Sequence, residues 1–337
     1  MSTTPTRRPP RSKQAVIVGF GPVGQMIASI LAPHDWRIHA LDTRPRDSFD
    51  DDGVLSTLEQ YLQVDARQPT PAAAAALTGC SLAVLAVPEE SALATLEALA
   101  PLLPANALLV ETLSRKDRLR AQLAAAVPEN AMLSINPLFH PGLGLRGNSV
   151  AVVDPIAHPA ITRFLDCIET AGGRVVPLTA REHDEELVAV QALTHSALLA
   201  FAASLPHIAA DVDRCLEFAP PPTRLLMALA ARVTSGSPET YWDIQGAAAG
   251  RPPARATLAQ ALARLDADLE QGSPDEFAQS LAENRAWFSS HLEPLADLAQ
   301  TTLAPTIDTT AQQSEPIDAQ TSTAPPSKET PDVHDDH

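Results

Sequence analysis

A glycine-rich turn near the amino terminus constrains the fold of this 337-residue chain more than any other stretch. Residues 15–18 (AVIV) are a short apolar run of the kind that is buried on both faces of a parallel sheet. The next six residues fit the pattern G-x-G-x-x-G: Gly19, Phe20, Gly21, Pro22, Val23 and Gly24. The first glycine makes a tight turn, the second lets the backbone approach a pyrophosphate, and the third lets helix and strand pack closely. The stretch therefore predicts a strand, a turn and a helix whose N-terminus binds a dinucleotide.

An acidic residue lies at the distance that a dinucleotide site requires. A second predicted strand, residues 36–41, is followed by Asp42, eighteen residues after Gly24. A carboxylate at this point accepts hydrogen bonds from the adenosine ribose and repels a 2′-phosphate, so we expect NAD rather than NADP. Arg44, two residues further on, weakens that preference.

Composition limits the possible partners and the compartment. The three cysteines (Cys80, Cys167 and Cys215) lie far apart and form no C-x-x-C pair. This spacing suits a reducing cytoplasm and neither a disulfide framework nor a zinc site, so we expect no metal. We also expect no signal peptide and no apolar stretch long enough to cross a membrane. The net charge of −17 argues against nucleic acid or an anionic membrane as partner and leaves a small molecule.

Apolar segments alternate with helical segments through the first half of the chain. Strands are predicted at residues 61–64, 81–87, 107–111, 132–135, 149–153 and 174–177, with helices at 71–77 and 89–99. This alternation predicts an α/β Rossmann domain with a doubly wound, mostly parallel sheet and right-handed crossovers. Ligands bind at the carboxyl ends of strands in such sheets, so we expect Val87, Pro88, residues 112–114 and residues 136–137 to border one crevice.

The pattern changes at Thr179, which forms a predicted capping box with Glu182. Helices are predicted at residues 181–205, 206–218, 222–234, 238–248, 254–271 and 275–295, with Pro and Gly at the breaks. The first is rich in Ala and Leu on more than one face, which suits a bundle helix shared by two subunits. We therefore divide the chain into a disordered basic N-terminus (1–13), a Rossmann domain (14–178), an all-helical substrate and dimerisation domain (179–300) and a disordered acidic tail (301–337).

A line of polar residues follows the first of these helices. Asp184, Val188, Gln191 and His195 are separated by steps of three and four residues, so they are expected to share one face. Such a line indicates either a lined cleft or a satisfied network in the core. Arg232 lies in the apolar helix RLLMALAARV. An arginine there either extends its charged end to solvent or pairs with an acidic residue, or it binds the carboxylate of a ligand.

Seven motifs taken in order resemble those of the prephenate dehydrogenase family over about residues 14–295: GFGPVG, LAVPEES, ETLSRK, INPLFHPG, EHDEELVAVQALTHS, RLLMALAAR and ETYWDI. Dehydrogenases of β-hydroxy acids share the architecture but use a lysine in the long helix after the Rossmann domain. The only lysine between residues 14 and 300 is Lys116, which argues against that class. The resemblance implies a cytoplasmic, homodimeric NAD(P) enzyme that oxidises a cyclohexadiene. A hydride leaves the ring carbon that bears the 4-substituent, the ring carboxylate departs as CO2, and the ring becomes aromatic.

The resemblance also assigns roles to individual residues. Ser114 matches a serine near the 4-substituent and the nicotinamide, although a helix N-cap would also explain it. His195 matches a histidine that lines the substrate pocket, and Gln191 lies on the same predicted face. Arg232 matches the arginine that holds a substrate carboxylate, and Tyr241 matches an aromatic residue of the pocket wall.

One position departs from the family pattern. Where the family carries a catalytic histidine in a His-Pro pair after a strand, this chain has Asn136 followed by Pro137. That histidine accepts the proton or the hydrogen bond of the 4-hydroxyl as the hydride leaves. An asparagine accepts a hydrogen bond through its carbonyl oxygen but takes no proton near neutral pH.

Three explanations follow from this departure. The substrate carries a 4-amino group whose lone pair expels the hydride, as in 4-amino-4-deoxyprephenate, so that an asparagine oxygen is a sufficient partner. Alternatively, His140 replaces the missing base and the substrate is ordinary prephenate or arogenate. In the third explanation the protein has lost catalysis and is a cofactor- or ligand-binding regulator. We favour the first.

Overall fold

The computed structural model describes residues 13–49, 53–114, 116, 120–209, 211–247, 254–270 and 272–308. The chain divides into two compact units, one formed by Met1–Ile208 with Leu229–Glu270 and the other by Ala209–Ala228 with Gln271–His337. The division at residue 178 that the sequence suggests stays a prediction. Almost all of the predicted N-terminal arm and the end of the acidic tail lie outside the described residues.

An eight-stranded sheet forms the centre of the first unit, in the order β3-β2-β1-β4-β5-β6-β7-β8. The strands are β1 (Lys13–Val18), β2 (Trp36–Asp42), β3 (Gln60–Gln63), β4 (Leu82–Leu85), β5 (Leu108–Glu111), β6 (Met132–Pro137), β7 (Ser149–Val153) and β8 (Arg174–Leu178). All neighbouring strands are parallel except β6 and β7. The predicted doubly wound, mostly parallel sheet is confirmed.

Both faces of this sheet are covered, which explains why its strands are continuous apolar runs. The helices α1 (Pro22–Leu31), α2 (Pro71–Thr78), α3 (Glu89–Leu99), α4 (Arg120–Ala126) and α5 (Pro159–Thr170) lie between the strands in the chain. Along β1, Ala15 and Ile17 belong to the apolar cluster that contains α1 and α5, whereas Val16 and Val18 belong to the cluster that contains α2 and α3. Successive side chains of a strand point to opposite faces, so both faces of β1 are core.

The strand order reverses at β1, which has β2 on one side and β4 on the other. The chain winds outward from β1 to β3 and then crosses back to β4, so the connections after β1 and β4 leave the sheet in opposite directions. This point opens a crevice at the carboxyl ends of β1 and β4, where doubly wound sheets bind their ligands.

The helical part of the chain begins as predicted. Thr179 accepts a hydrogen bond from the backbone of Glu182, whose side chain accepts one from Thr179 N–H at 2.8 Å, so the capping box is confirmed. Helix α6 (Ala180–Leu187) continues through a π-helical turn (Val188–Leu193) into α7 (Thr194–Ile208). The predicted helix boundary before Pro206 was wrong. Pro206 lies in the last turn, where its missing N–H removes only one intrahelical bond.

The remaining helices are α8 (Val212–Phe218), α9 (Pro221–Thr234), α10 (Pro238–Ala247), α11 (Ala254–Glu270), α12 (Pro274–Phe288) and α13 (Leu292–Asp308). Helix α13 extends eight residues past residue 300, so the prediction of disorder from residue 301 was wrong for 301–308. The Thr301 and Thr302 hydroxyls donate to carbonyls one turn earlier, at 2.9 and 2.8 Å. Threonine therefore continues the helix here instead of starting a turn.

The continuous helix from Ala180 to Ile208 has 29 residues and a mean hydropathy of 1.6 in its most apolar window, of which 22% is buried. By length and composition alone it is long enough to cross a membrane, which contradicts the expectation that no such stretch exists. Its many Ala and Leu residues produce this value, and an apolar helix inside a bundle has the same composition.

Candidate active site

Two of the three glycines in the turn between β1 and α1 are required by contacts within the protein, and the third borders open space. Gly19 has a φ of +89°, and a Cβ there would lie 2.2 Å from the carbonyl oxygen of Ala86. A Cβ on Gly24 would lie 2.1 Å from the carbonyl oxygen of Gly19. Among the described residues, a Cβ on Gly21 would meet only the Nη2 of Arg44, at 3.9 Å. Contacts within the protein therefore require the first and third glycines, whereas the second leaves open space in which a ligand can approach the protein backbone.

The N-terminus of α1 faces this open space without a side-chain cap. Gly21 is the N-cap residue, it makes no side-chain capping bond, and Pro22 occupies the first helical position. The first N–H groups of a helix have no partner inside the helix, and its dipole places partial positive charge at this end. The turn therefore has the features of an anion site, and the group that fits it is a pyrophosphate.

Asp42, at the end of β2, is bound by four protein donors. Its Oδ2 accepts from Phe20 N–H (2.6 Å) and Arg44 Nη2 (3.1 Å), and its Oδ1 accepts from Arg44 N–H (2.9 Å) and Nε (3.0 Å). Burial alone would raise the pKa of Asp42, but the hydrogen bonds from Arg44 and Phe20 outweigh it and leave the pKa below its usual value. A carboxylate has about four lone-pair positions. The four donors match these positions, so a ribose hydroxyl that binds Asp42 has to share or replace one of them.

An aromatic cluster supports this arrangement from below. The side chain of Phe20 is fully buried and packs edge-on against Phe49 and Tyr61. The Arg44 guanidinium lies 4.4 Å from the centre of the Phe49 ring. The Tyr61 hydroxyl donates to the carbonyl oxygen of Arg44 at 2.6 Å, and burial raises the pKa of this phenol to about 12. The expectation that Phe20 binds the cofactor is corrected for its side chain, which belongs to the core.

A cavity of about 710 Å³ opens at the carboxyl ends of β1 and β4. It joins the glycine turn to the loop after β5 and to the start of α10. The predicted site residues that line it are Gly19, Gly21, Pro22, Val23, Asp42, Arg44, Val87, Pro88 and Ser114. From α10 and the turn before it come Ser237, Glu239, Thr240 and Asp243. Val87, Pro88 and residues 112–114 thus lie around one space with the glycine turn, whereas Asn136 and Pro137, which were expected to border the same crevice, do not line it.

The other predicted site residues that the structure describes lie outside this lining: Gly24, Phe20, Asn136, His140, Gln191, His195, Arg232 and Tyr241. Gly24 packs against Gly19, as the motif requires. Most of the substrate-side residues fall into two further groups, one around His195 and one around Asn136.

His195, Arg232 and Tyr241 form the first of these groups. The rings of His195 and Tyr241 meet edge to face with centroids 5.1 Å apart. Burial lowers the pKa of His195, and the positive charge of Arg232 lowers it further. The Nδ1 of His195 is buried and has no hydrogen-bond partner among the described residues. A buried nitrogen without a partner costs free energy, so this position is unfavourable unless a further group satisfies it.

Helix α10 connects this group to the cavity. Thr240 lines the cavity, and the next residue, Tyr241, contacts His195. The Tyr241 ring also occupies the space beside Gly236, where a Cβ would lie 2.7 Å from it. The start of α10 therefore contributes to both places.

Asn136 lies at the end of β6 beside a histidine that the sequence analysis missed. Its Nδ2 is 3.2 Å from the Nε2 of His183, and the Nδ1 of His183 is 2.9 Å from the Oδ1 of Asp184. Asn136 is 3% exposed and His183 is 1% exposed. Helical spacing selected Asp184 and passed over His183, and the only signal was that both belong to the quoted motif EHDEEL.

A second buried network fixes the loop that carries Ser114. The Lys116 ammonium is fully buried, lies 3.0 and 2.9 Å from the two carboxylate oxygens of Glu111 and donates to the Ile135 carbonyl at 2.8 Å. Burial lowers the pKa of Lys116, and the charge of Glu111 opposes this. Glu111 also accepts from Leu113 N–H at 2.8 Å and from the Ser134 hydroxyl. The network therefore connects the Ser114 loop to β6, the strand that carries Asn136.

The π-helical turn changes the predicted polar line. Gln191 lies within this turn and is half-buried. A π turn inserts an extra residue into the helix, so the steps of three and four no longer hold from Asp184 to His195. Asp184 contacts His183, whereas His195 contacts Tyr241. The expectation that all four residues share one face was wrong for this reason.

His140 lies three residues after β6, at the start of a short turn. Its side chain is exposed, and its Nδ1 accepts a hydrogen bond from Gly142 N–H at 3.1 Å. It thereby caps the short helical turn Pro141–Leu143. The imidazole next to Asn136 is that of His183.

Comparisons with known proteins agree with this geometry. A family model described as prephenate dehydrogenase, dimerization domain, matches residues 179–283, and one described as ketopantoate reductase PanE/ApbA matches residues 15–135. The chain is 38% identical over 276 residues to 4-amino-4-deoxyprephenate dehydrogenase from Streptomyces pristinaespiralis, covering 82% of this chain and 91% of that protein. It is 30% identical to a T-protein from Enterobacter agglomerans, covering 67% of this chain and 60% of that protein.

Solved structures show the same fold. Prephenate dehydrogenase from A. aeolicus, in complex with hydroxyphenyl propionate and NAD+, superposes with a TM-score of 0.62 at 17% identity. The superposition covers 81% of this chain and 96% of that one. The order of a Rossmann sheet followed by helices is thus common to both.

Proposed function

Because the chain belongs to the prephenate dehydrogenase family, we propose that it catalyses the NAD-dependent oxidative decarboxylation of 4-amino-4-deoxyprephenate. The observation that carries the proposal is Asn136, a residue that takes no proton, at the position of the family's catalytic histidine. Similarity to a 4-amino-4-deoxyprephenate dehydrogenase supports it.

The cofactor would be held by the glycine turn. Gly21 leaves room for a pyrophosphate, the N-terminus of α1 supplies unpaired N–H groups, and Asp42 lies where an adenosine ribose is expected. When bound, NAD accepts the hydride. The Arg44 guanidinium donates two hydrogen bonds to the Asp42 carboxylate and adds a positive charge where a 2′-phosphate would lie. We therefore propose NAD as the main cofactor with some tolerance of NADP.

Asn136 would be sufficient for a 4-amino substrate and insufficient for a 4-hydroxyl one. A 4-hydroxyl has to lose its proton as the hydride leaves, and an amide does not accept it. A 4-amino nitrogen expels the hydride with its own lone pair and needs only an acceptor for its N–H. The carbonyl oxygen of Asn136 supplies that acceptor, and Ser114 faces the 4-substituent from the cavity.

The other substrate contacts would come from the helices. Arg232 binds a substrate carboxylate, Tyr241 and Gln191 form part of the pocket wall, and the neutral His195 offers its unpaired nitrogen.

In this proposal residues 14–178 bind the cofactor, and residues 179–300 bind the substrate and form a homodimer. Large apolar side chains exposed on the helices support such an interface, among them Leu229, Trp242, Leu262, Leu265 and Leu269. The cysteines Cys80, Cys167 and Cys215 are free, which supports a cytoplasmic location.

A direct comparison of substrates tests the proposal. Purified protein is mixed with NAD and with either 4-amino-4-deoxyprephenate or prephenate, and the absorbance of the reduced nicotinamide is followed. We expect turnover of the amino substrate and little turnover of prephenate. Asn136→His should gain activity on prephenate because it restores a proton acceptor.

The control is His140→Ala, which should leave turnover unchanged because His140 caps an exposed turn. Turnover of prephenate alone, lost in His140→Ala, would contradict the proposal and identify His140 as the base. Binding of NAD without turnover of either substrate would indicate a regulator.

A further inference from the structure

The orientation of the Asn136 side chain is determined by two residues behind it. His183 lies between Asn136 and Asp184, with contacts of 3.2 Å from its Nε2 and 2.9 Å from its Nδ1. Asn136 and His183 are both buried, so water does not compete for the contact between them, whereas the Asp184 side chain is 25% exposed. The three side chains therefore form one hydrogen-bonded chain.

The direction of the protons in this chain follows from Asp184. An ionised carboxylate only accepts hydrogen bonds, so the Nδ1 of His183 carries the proton and donates it. In the structure the amide NH2 of Asn136 faces Nε2 at 3.2 Å. An NH2 group only donates, so Nε2 accepts through its lone pair and the proton of the ring lies on Nδ1.

This direction leaves the carbonyl oxygen of Asn136 free to act. Within the part of the chain that the structure describes, no donor is bonded to the Oδ1 of Asn136. Asn136 thus presents an acceptor and not a donor.

We propose that His183 and Asp184 are positioning residues that hold Asn136 with its carbonyl oxygen toward the substrate and thereby admit an amino group at the 4-position. This inference rests on the proposed function. A 4-amino group donates N–H bonds to the oxygen, whereas in the reversed amide the NH2 would meet the N–H groups of the substrate. A 4-hydroxyl can donate to the carbonyl oxygen or accept from the NH2. Binding of the amino substrate therefore depends on the direction of the amide, and binding of the hydroxyl substrate does not.

Two substitutions of similar size separate positioning from packing. His183→Leu fills the space but offers no lone pair, whereas the side-chain amide of His183→Gln can donate to Asp184 and accept from Asn136. We expect His183→Leu to lower kcat/KM for the amino substrate roughly tenfold, the usual effect of leaving a buried polar group unpaired. The preference for the amino substrate over prephenate should fall with it.

We expect His183→Gln to retain most of that preference, and both variants to bind NAD as the wild type does. No change in His183→Leu would contradict the proposal. An equal loss on both substrates in both variants would also contradict it, since that is the result of damaged packing.

The protonated nitrogen of His183 is measured independently of turnover. In protein labelled with 15N-histidine, we expect His183 to carry its proton on Nδ1, with its signal assigned by its absence from His183→Gln. In Asn136→Asp, the ring lies between two carboxylates, so both nitrogens should become protonated.

A proton on Nε2 in the wild type, or an unchanged ring in Asn136→Asp, would overturn the proposed orientation. If the nitrogens behave as expected but the amino substrate is not turned over, the proposed function fails while the hydrogen-bonded chain stands. The two failures are therefore distinguishable.

Discussion

The glycine turn and the buried polar network lie in the same unit but are built in different ways. The glycine turn (residues 19–24) uses backbone N–H groups and the absence of side chains, and all of its residues are neighbours in the chain. The buried polar network consists of two hydrogen-bonded groups with side chains from three places: Glu111 at the end of β5 with Lys116 after it, Ser134 and Asn136 on β6, and His183 on α6. One region depends on local backbone shape, and the other depends on which elements meet.

This difference predicts how each region responds to change. A single added atom in the backbone turn should cause a large loss of stability, because the atom has no space and no alternative rotamer. Removal of one side chain from the network should cause a smaller loss, because the other hydrogen bonds remain. Substitutions in the two regions should therefore differ in size and in kind.

The largest effect is expected for Gly19→Ala. The residue has a left-handed φ of +89°, and the new Cβ would lie 2.2 Å from the backbone oxygen of Ala86. Since neither backbone can move cheaply, the loss of stability should exceed about 4 kcal/mol, which marks a severe substitution. Urea unfolding measures it. The control is Gly53→Ala: Gly53 has a φ of +90°, no atom of the described residues lies within 4 Å of the added Cβ, and the substitution should cost only about 1–2 kcal/mol. An equal loss of stability in Gly19→Ala and Gly53→Ala would show that the overlap of the new Cβ with the Ala86 oxygen is unimportant.

A smaller loss is expected for Lys116→Met. The substitution leaves the buried carboxylate of Glu111 without its cation, which costs about 3–5 kcal/mol in buried pairs. The double variant Lys116→Met with Glu111→Gln removes the charge as well and should recover part of the stability in the same urea titration. A double variant that is less stable than Lys116→Met would contradict this account of the pair.

The smallest effect on the fold is expected for Gly21→Ala. Its φ of −67° suits alanine, and the nearest atom to the new Cβ is 3.9 Å away, so unfolding should be unchanged within about 0.5 kcal/mol. The methyl group occupies the approach to the pyrophosphate, so we expect the Kd for NAD to rise at least about tenfold, or 1.4 kcal/mol. Fluorescence titration with NAD measures it. Normal NAD binding in Gly21→Ala would show that the ligand does not approach here.

Much of the fold follows from local patterns in the sequence. The apolar runs mark the strands, the capping box at Thr179 marks the start of the helical part, and the glycine spacing marks the turn after β1. Each of these features depends on residues that are close together in the chain, so the spacing of apolar, capping and glycine residues is enough to predict it. The nucleotide crevice follows from the strand order, because a doubly wound sheet opens where its winding reverses.

The partners of the polar side chains do not follow from such patterns. Helical spacing placed Asp184 and His195 on one face, but a π turn separates them. Nothing in the spacing indicates that His183 meets Asn136, 47 residues earlier, or that Lys116 is buried against Glu111. Long-range contacts of this kind are fixed only when the elements pack.

By itself the sequence determined the Rossmann sheet, the helical second half, the glycine turn and the presence of an asparagine at position 136. Only the tertiary structure decided what that asparagine faces, because a side-chain amide is directed by the donors and acceptors around it, and packing brings those together from distant parts of the chain.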